Sequence, residues 1–212
     1  MPTIAWIVIA FASGTLPTPY LMALAAGRKD VIAEMRRQDS PGDAHFVVTR
    51  HMSKAAGITA IVLDIAKGFI PALLAVRIED DPFVSAWVGV AAVAGHSFAP
   101  FLRRAGGRGL TTAAGVALVI IPRAMVATGI ISLVGTVLHR GGFGTSIGFG
   151  LLPIFAILFD YEPGLVWGAA GIVGLIMIRR LEGIEEDRRE GVGLGRALLG
   201  RLLFDLPRGG HD

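Results

Sequence analysis

Residues 109–138 read GLTTAAGVALVIIPRAMVATGIISLVGTVL, apolar from end to end except for Pro122-Arg123 near the middle. The run is longer than the ~20 residues one helix needs to cross a bilayer. Proline inside a helix removes a hydrogen-bond donor and clashes with the preceding turn, and an arginine in hydrocarbon is costly. The stretch therefore predicts two short helices, 109–121 and 124–138, that turn at Ile121-Pro122-Arg123. Each reaches only ~20 Å at about 1.5 Å per residue, so it must tilt, thin the bilayer or end inside it.

This reading decides the fold, because one extra crossing changes the side on which every later segment lies. Further apolar runs occupy about 4–26, 55–77, 83–102, 146–160 and 164–178. With the turn at Pro122 the chain has about seven transmembrane helices, an outside N-terminus and a cytoplasmic C-terminus. Arg28, Lys29, Arg36, Arg37, Arg50 and Lys54 then lie inside, as do Arg103, Arg104, Arg108, Arg140 and the seven arginines of 179–212. Only Lys67, Arg77 and Arg123 are left elsewhere, while Glu79-Asp80-Asp81 and Asp160-Tyr161-Glu162 fall outside. A single kinked span would instead place the arginine-rich tail outside, against the positive-inside rule.

Composition agrees that lipid is the main solvent. Charged residues are 17% of the 212-residue chain, against ~25% in soluble domains. The residues AVILMFWYC supply 53%, and there is no cysteine. A disordered chain, a disulfide scaffold and a cysteine-ligated metal site are excluded. The net charge of +3 is a matter of sidedness and does not indicate nucleic acid. Ala23-Leu24-Ala25 resembles a signal-peptide cleavage site, but no cation precedes Arg28, so the first run reads as a retained span. Gly144 and Gly148, and Gly168, Gly171 and Gly174, have the spacing of close helix contacts. Two regions follow: a membrane domain over 1–186 and a basic tail over 187–212, whose Gly193–Pro207 stretch suits an interfacial helix. The Gly191-Val-Gly-Leu-Gly within it lacks the strand-to-helix context of a dinucleotide loop.

Three places carry chemistry. Asp64 and Lys67 lie three residues apart, hence on one helix face, either as a structural ion pair or as a cation held toward an anion by its carboxylate. At 95–112 a span ends, Gly106-Gly107-Arg108-Gly109 follow, and a helix opens with Thr111 and Thr112. Bare N–H groups at a helix start beside a bidentate guanidinium make a phosphate site; the alternative is a basic turn on lipid headgroups. The Gly-Lys-Ser/Thr order of a nucleotide loop is missing. His96 is either a structural hydrogen-bonder or part of that site. His45, His51 and His139 show no metal-ligand spacing, and no cofactor is implied.

Gly95-His96, Pro100-Phe101-Leu102 and Gly106-Gly107-Arg108-Gly109 resemble the central motif of the bacterial acyl-phosphate:glycerol-3-phosphate acyltransferases, which usually have lysine at the position of Arg108. The resemblance extends to Ser13-Gly14-Thr15-Leu16-Pro17 with Tyr20, Asp64 with Lys67-Gly68, Pro122, Thr145-Ser146-Ile147 with Pro153, and Arg179 with Leu181 and Gly183. It covers about 10–186. It implies an integral membrane enzyme of the inner (cell) membrane that moves a fatty acyl group from acyl phosphate to glycerol 3-phosphate. On this resemblance Arg108 with Gly106, Gly107 and Gly109 binds phosphate, Ser40 and Arg50 hold the acceptor phosphate, and Lys67 adds positive potential. Ser146, at the start of a helix, receives the departing phosphate, and His96 orients an oxygen or the glycine loop.

The departures are specific. Where the family shows a loop like GSGNPGATN, residues 39–47 read DSPGDAHFV and keep only Ser40, ten residues before Arg50. The last helix has Val173 and Ile176 at about the places of a family histidine and asparagine. Another phosphorylated acceptor is therefore a second enzymatic reading. A non-catalytic binder of anionic lipid or a small transporter would be a different class, but transport favours polar residues across several helices. Here charge gathers at one face.

Overall fold

The computed structural model describes residues 3–37, 44–79, 81–99 and 107–204, and all regular elements among them are helices. Two compact units are present, residues 1–120 and 121–212.

The first unit contains α1 (Thr3–Gly14), α2 (Thr18–Ala25), α3 (Lys29–Arg37), α4 (Ala44–His51), α5 (Lys54–Ile78), α6 (Pro82–Ser97) and α7 (Leu110–Ile120). Ser53 starts α5 by accepting the Ala56 N–H, and Asp81 starts α6 by accepting that of Phe83. α5 packs along α7, and α1 along α6. Small residues set both approaches. A methyl group on Gly14 or Gly95 would strike the backbone of the opposite helix in the α1–α6 pair, and one on Gly68 or Gly115 would do so between α5 and α7. Helices in lipid gain little from apolar association, so such backbone-to-backbone packing supplies their cohesion. A separate apolar cluster of Ala23, Val31, Met35, Val47 and Val48 joins α2, α3 and α4.

The expected first span is bent. α1 and α2 meet at 52° around Thr15–Pro17. Pro17 has no N–H to continue the helix, and Pro19 occupies the first turn of α2.

The second unit contains α8 (Pro122–Val137), α9 (Gly141–Gly150), α10 (Leu152–Leu158), α11 (Pro163–Arg180), α12 (Ile184–Arg189) and α13 (Leu194–Leu203). Pro122 opens α8, two residues before the expected start at 124, and the break between the helices falls at Ile121. The expected 146–160 helix starts earlier, at Gly141, and bends by 44° between α9 and α10, where Pro153 enters the first turn of α10. α8 and α9 touch through Gly135 and Gly144, and Gly148 lies against Thr128 and Ser132. Gly174 has open space where a Cβ would be, so the packing role expected for it is not seen. α13 packs on α9, α11 and α12 within this unit. Arg201 on α13 pairs with the fully buried Asp187 of α12 and donates to the Glu182 and Gly183 carbonyls.

Among the described residues, two helical stretches are long and apolar enough to cross a membrane, Lys54–Ile78 and Pro163–Arg189, or four spans if each bent pair counts as one. Leu110–Ile120 and Pro122–Val137 are shorter apolar helices. Ile58, Val62, Ile70 and Ile78 of α5 and Val126, Ile130, Leu133 and Val137 of α8 are exposed, while Asp64 and Lys67 are buried. That inversion of the soluble pattern suits a lipid-facing surface.

Candidate functional site

The polar centre of the first unit is built around Asp64, midway along α5 and 1% exposed. A buried carboxylate is tolerated when it is paired and its lone pairs are filled. Lys67 Nζ lies 2.7 Å from Asp64 Oδ1, one turn along the same helix face. Thr18 Oγ1 of α2 donates to the same oxygen at 2.6 Å, and His45 Nε2 of α4 is 2.7 Å from Oδ2. His96 of α6 turns Nδ1 toward Asp64 Oδ1 at 3.9 Å. Thr112 of α7 donates to the Asp64 backbone carbonyl at 3.1 Å. Groups from five helices thus converge on one residue.

Lys67 also explains how the bend in the first span is accommodated. Its ammonium donates to the Leu16 carbonyl at 2.9 Å, a backbone acceptor in the bend. Ser13 Oγ returns a hydrogen bond to the Lys67 carbonyl at 2.9 Å. Interrupted helices are stable in hydrocarbon only where neighbouring groups satisfy the freed backbone. The ion pair therefore has a structural task, and two of the three ammonium donors are engaged in it.

The described end of the glycine loop reaches this centre through His96. A Cβ on Gly107 would collide with His96 Nε2, so only a glycine lets the loop backbone lie against that imidazole edge. Gly109 has φ +83°, a left-handed conformation that side-chain-bearing residues rarely adopt, and α7 begins at the next residue. Arg108 sits between these two glycines, partly exposed, at the helix entrance. The candidate residues Lys67, His96, Gly107, Arg108 and Gly109 therefore belong to one unit. Lys67 and His96 both meet Asp64, and Gly107 meets His96.

Other expected residues are placed differently. Ser40 and Gly106 lie outside the described residues. Arg50 is exposed on the last turn of α4 and has no ion pair among the described residues. Ser146 is inside α9 rather than at its start, since the helix begins at Gly141. Its hydroxyl donates to the Gly142 carbonyl at 2.7 Å and accepts from Arg180, which also donates to the Leu202 carbonyl of α13 at 2.9 Å. Val173 and Ile176 stand in α11, and Ile176 is fully buried.

Two participants are missing from the sequence reading. His45 has no motif or ligand spacing, and it meets Asp64 only through tertiary packing across 19 residues. Arg180 is 3% exposed and bonded to Ser146, whereas the motif reading draws attention to its neighbour Arg179. The last turn of α11 carries both arginines, which point in different directions, and the sequence alone does not choose between them.

Comparison with known proteins covers nearly the whole chain. A family model described as glycerol-3-phosphate acyltransferase matches residues 4–188. A glycerol-3-phosphate acyltransferase of Endomicrobium trichonymphae is 31% identical over 184 residues, 86% of this chain and 90% of that protein. One from Geobacter sulfurreducens is 31% identical over 183 residues, 85% of this chain and 91% of its own length. A crystal structure of PlsY, an integral membrane glycerol 3-phosphate acyltransferase in its glycerol 3-phosphate form, aligns with a TM-score of 0.75 and 26% identity. That alignment covers 90% of this chain and 94% of the other.

Proposed function

This chain belongs to the glycerol-3-phosphate acyltransferase family, and from that premise we propose that it transfers a fatty acyl group from acyl phosphate to glycerol 3-phosphate, giving lysophosphatidic acid. The observation that carries the reading is the junction of a glycine–arginine helix entrance with a buried polar centre. Gly107 packs on His96, His96 faces Asp64, and Asp64 holds Lys67.

The chemistry asks for orientation more than for a protein nucleophile. The acceptor hydroxyl oxygen forms a bond to the acyl carbon, the acyl carbon–phosphate oxygen bond breaks, and phosphate leaves with the electron pair. The hydroxyl proton passes to a phosphate oxygen of the substrates. Fixed donors and cations aimed at the phosphates stabilise the developing charge. In this proposal Arg108 binds phosphate bidentately, with the N–H groups of the Gly106–Gly109 loop at the start of α7. His96 keeps the loop in register. Ser40 and Arg50 hold the acceptor phosphate, and Arg50 suits this because no described carboxylate neutralises it. Lys67 contributes positive potential beside the loop.

The same reading places the enzyme in the inner membrane as a multi-pass protein with seven crossings, the N-terminus outside and the site at the cytoplasmic face among anionic lipids. Residues 1–186 form the membrane domain and 187–212 the basic tail. The distribution of arginine supports this orientation.

A related phosphorylated acceptor is the second reading. It is favoured by the sequence DSPGDAHFV at 39–47, which keeps only Ser40 of the resembled acceptor loop. Vesicles containing the protein, incubated with acyl phosphate and a panel of phosphorylated polyols, distinguish the two by mass spectrometry. Lysophosphatidate as the main product supports glycerol 3-phosphate; an acylated product of another polyol supports the second reading.

A further inference from the structure

His45 has no part in the scheme above, yet it makes one of the shortest contacts to the buried carboxylate. It occupies the second position of α4, at the end of the 39–47 loop, where the resembled loop pattern has alanine. Its Nε2 lies 2.7 Å from Asp64 Oδ2, while Lys67 and Thr18 take Oδ1. The imidazole is only 18% exposed. The other anchors of α4 are apolar or steric. Val47 and Val48 enter the cluster with Val31 and Met35, and Thr49 lies against Gly57 of α5, where any Cβ would strike it. Such contacts hold the helix on its neighbours but are weakly directional. The His45–Asp64 hydrogen bond is the described polar side-chain contact that fixes the rotation and axial position of α4 relative to the polar centre. Arg50 lies on the last turn of the same short helix, so a change in that register moves its guanidinium.

We propose that His45 is a positioning residue for acceptor binding. By bonding Asp64 it fixes α4, and with it Arg50, against the Asp64–Lys67 pair. This rests on the proposed assignment of the acceptor phosphate to Arg50. It makes the start of α4 an anchor, tied to the polar centre through a side chain that alanine lacks.

The test uses the full chain in detergent or vesicles, with His45→Ala and His45→Gln. Glutamine places an amide N–H near the position of imidazole Nε2 and so preserves donation to Asp64. Kinetics are measured with acyl phosphate and glycerol 3-phosphate varied separately, beside the thermal stabilisation that glycerol 3-phosphate confers. Loss of a hydrogen bond to a charged group implies a rise of about ten- to a hundredfold in acceptor KM for His45→Ala. Donor KM stays within about twofold, and His45→Gln restores most of the acceptor affinity. A merely structural role lowers the active fraction, and hence apparent kcat, without moving either KM. The proposal is overturned if acceptor KM is unchanged in His45→Ala, if both KM values rise together, or if glutamine fails to rescue. Wild-type protein that is folded but inactive with every acceptor overturns the function reading instead; the stabilisation by glycerol 3-phosphate, compared between wild type and variants, then judges His45 without turnover.

Discussion

Asp64→Asn should separate the charge of the polar centre from its shape. Asparagine retains an oxygen that can accept from Thr18 and Lys67, but it removes the negative charge and leaves Lys67 as an uncompensated cation that is 7% exposed. Breaking a buried ion pair by removing one partner costs about 3–5 kcal/mol. The low end applies, because the carbonyl at 2.9 Å remains and asparagine fills the same volume. For a chain of this size about 3 kcal/mol corresponds to a drop of about 6–12 °C in the unfolding midpoint. The double variant Asp64→Asn/Lys67→Met removes the stranded cation and should recover more than half of that loss. Thermal unfolding of the purified protein in one detergent measures all the variants, with Lys67→Met closing the cycle. The reasoning is refuted if Asp64→Asn melts within about 2 °C of wild type, or if the double variant melts as low as the single one.

Three other outcomes follow from packing and sidedness. Gly115→Val should prevent assembly of α5 with α7 and lose folded protein in size-exclusion chromatography, because its Cβ meets the Ile65 carbonyl. Gly174→Ala, with open space at the Cβ and a gain in helix propensity, should melt at the wild-type temperature or slightly above it. The sequence has no cysteine, so single cysteines introduced at Glu162 and Glu190 report sidedness directly. A membrane-impermeant maleimide added to intact spheroplasts should label the first and spare the second; the reverse pattern refutes the orientation.

Much of the helical layout is legible in the sequence because hydrocarbon imposes long apolar runs. The break at Pro122 is legible too, since proline followed by arginine is costly inside a span. Hydropathy does not register a change of direction, so the bends between α1 and α2 and between α9 and α10 pass unseen within continuous apolar runs. Their signals were Pro17 and Pro153, each just before or within the first turn of the following helix. The helices α3 and α4 escape the same reading because they are short and charged, and because α4 is held by a cluster whose members come from three helices.

At the site, the pairing of Asp64 with Lys67 was readable because i,i+3 spacing is local. The glycine requirement at Gly107 follows from a motif, but its physical cause, the ring of His96, lies eleven residues away in the sequence. His45 was silent: nothing in the spacing of a lone histidine specifies a contact made by folding α4 onto α5. Ser146 and Arg180 are likewise joined across 34 residues, and no local pattern chooses Arg180 over Arg179.

Conversion of acyl phosphate and labelled glycerol 3-phosphate to lysophosphatidate by membranes containing this protein, with Arg108→Ala beside it at equal folded amount, tests the central claim most directly. Product well above empty membranes for the wild type, and none above them for Arg108→Ala, is the predicted result. Wild-type membranes that form no lysophosphatidate, or an Arg108→Ala variant that forms it at the wild-type rate, would contradict the account.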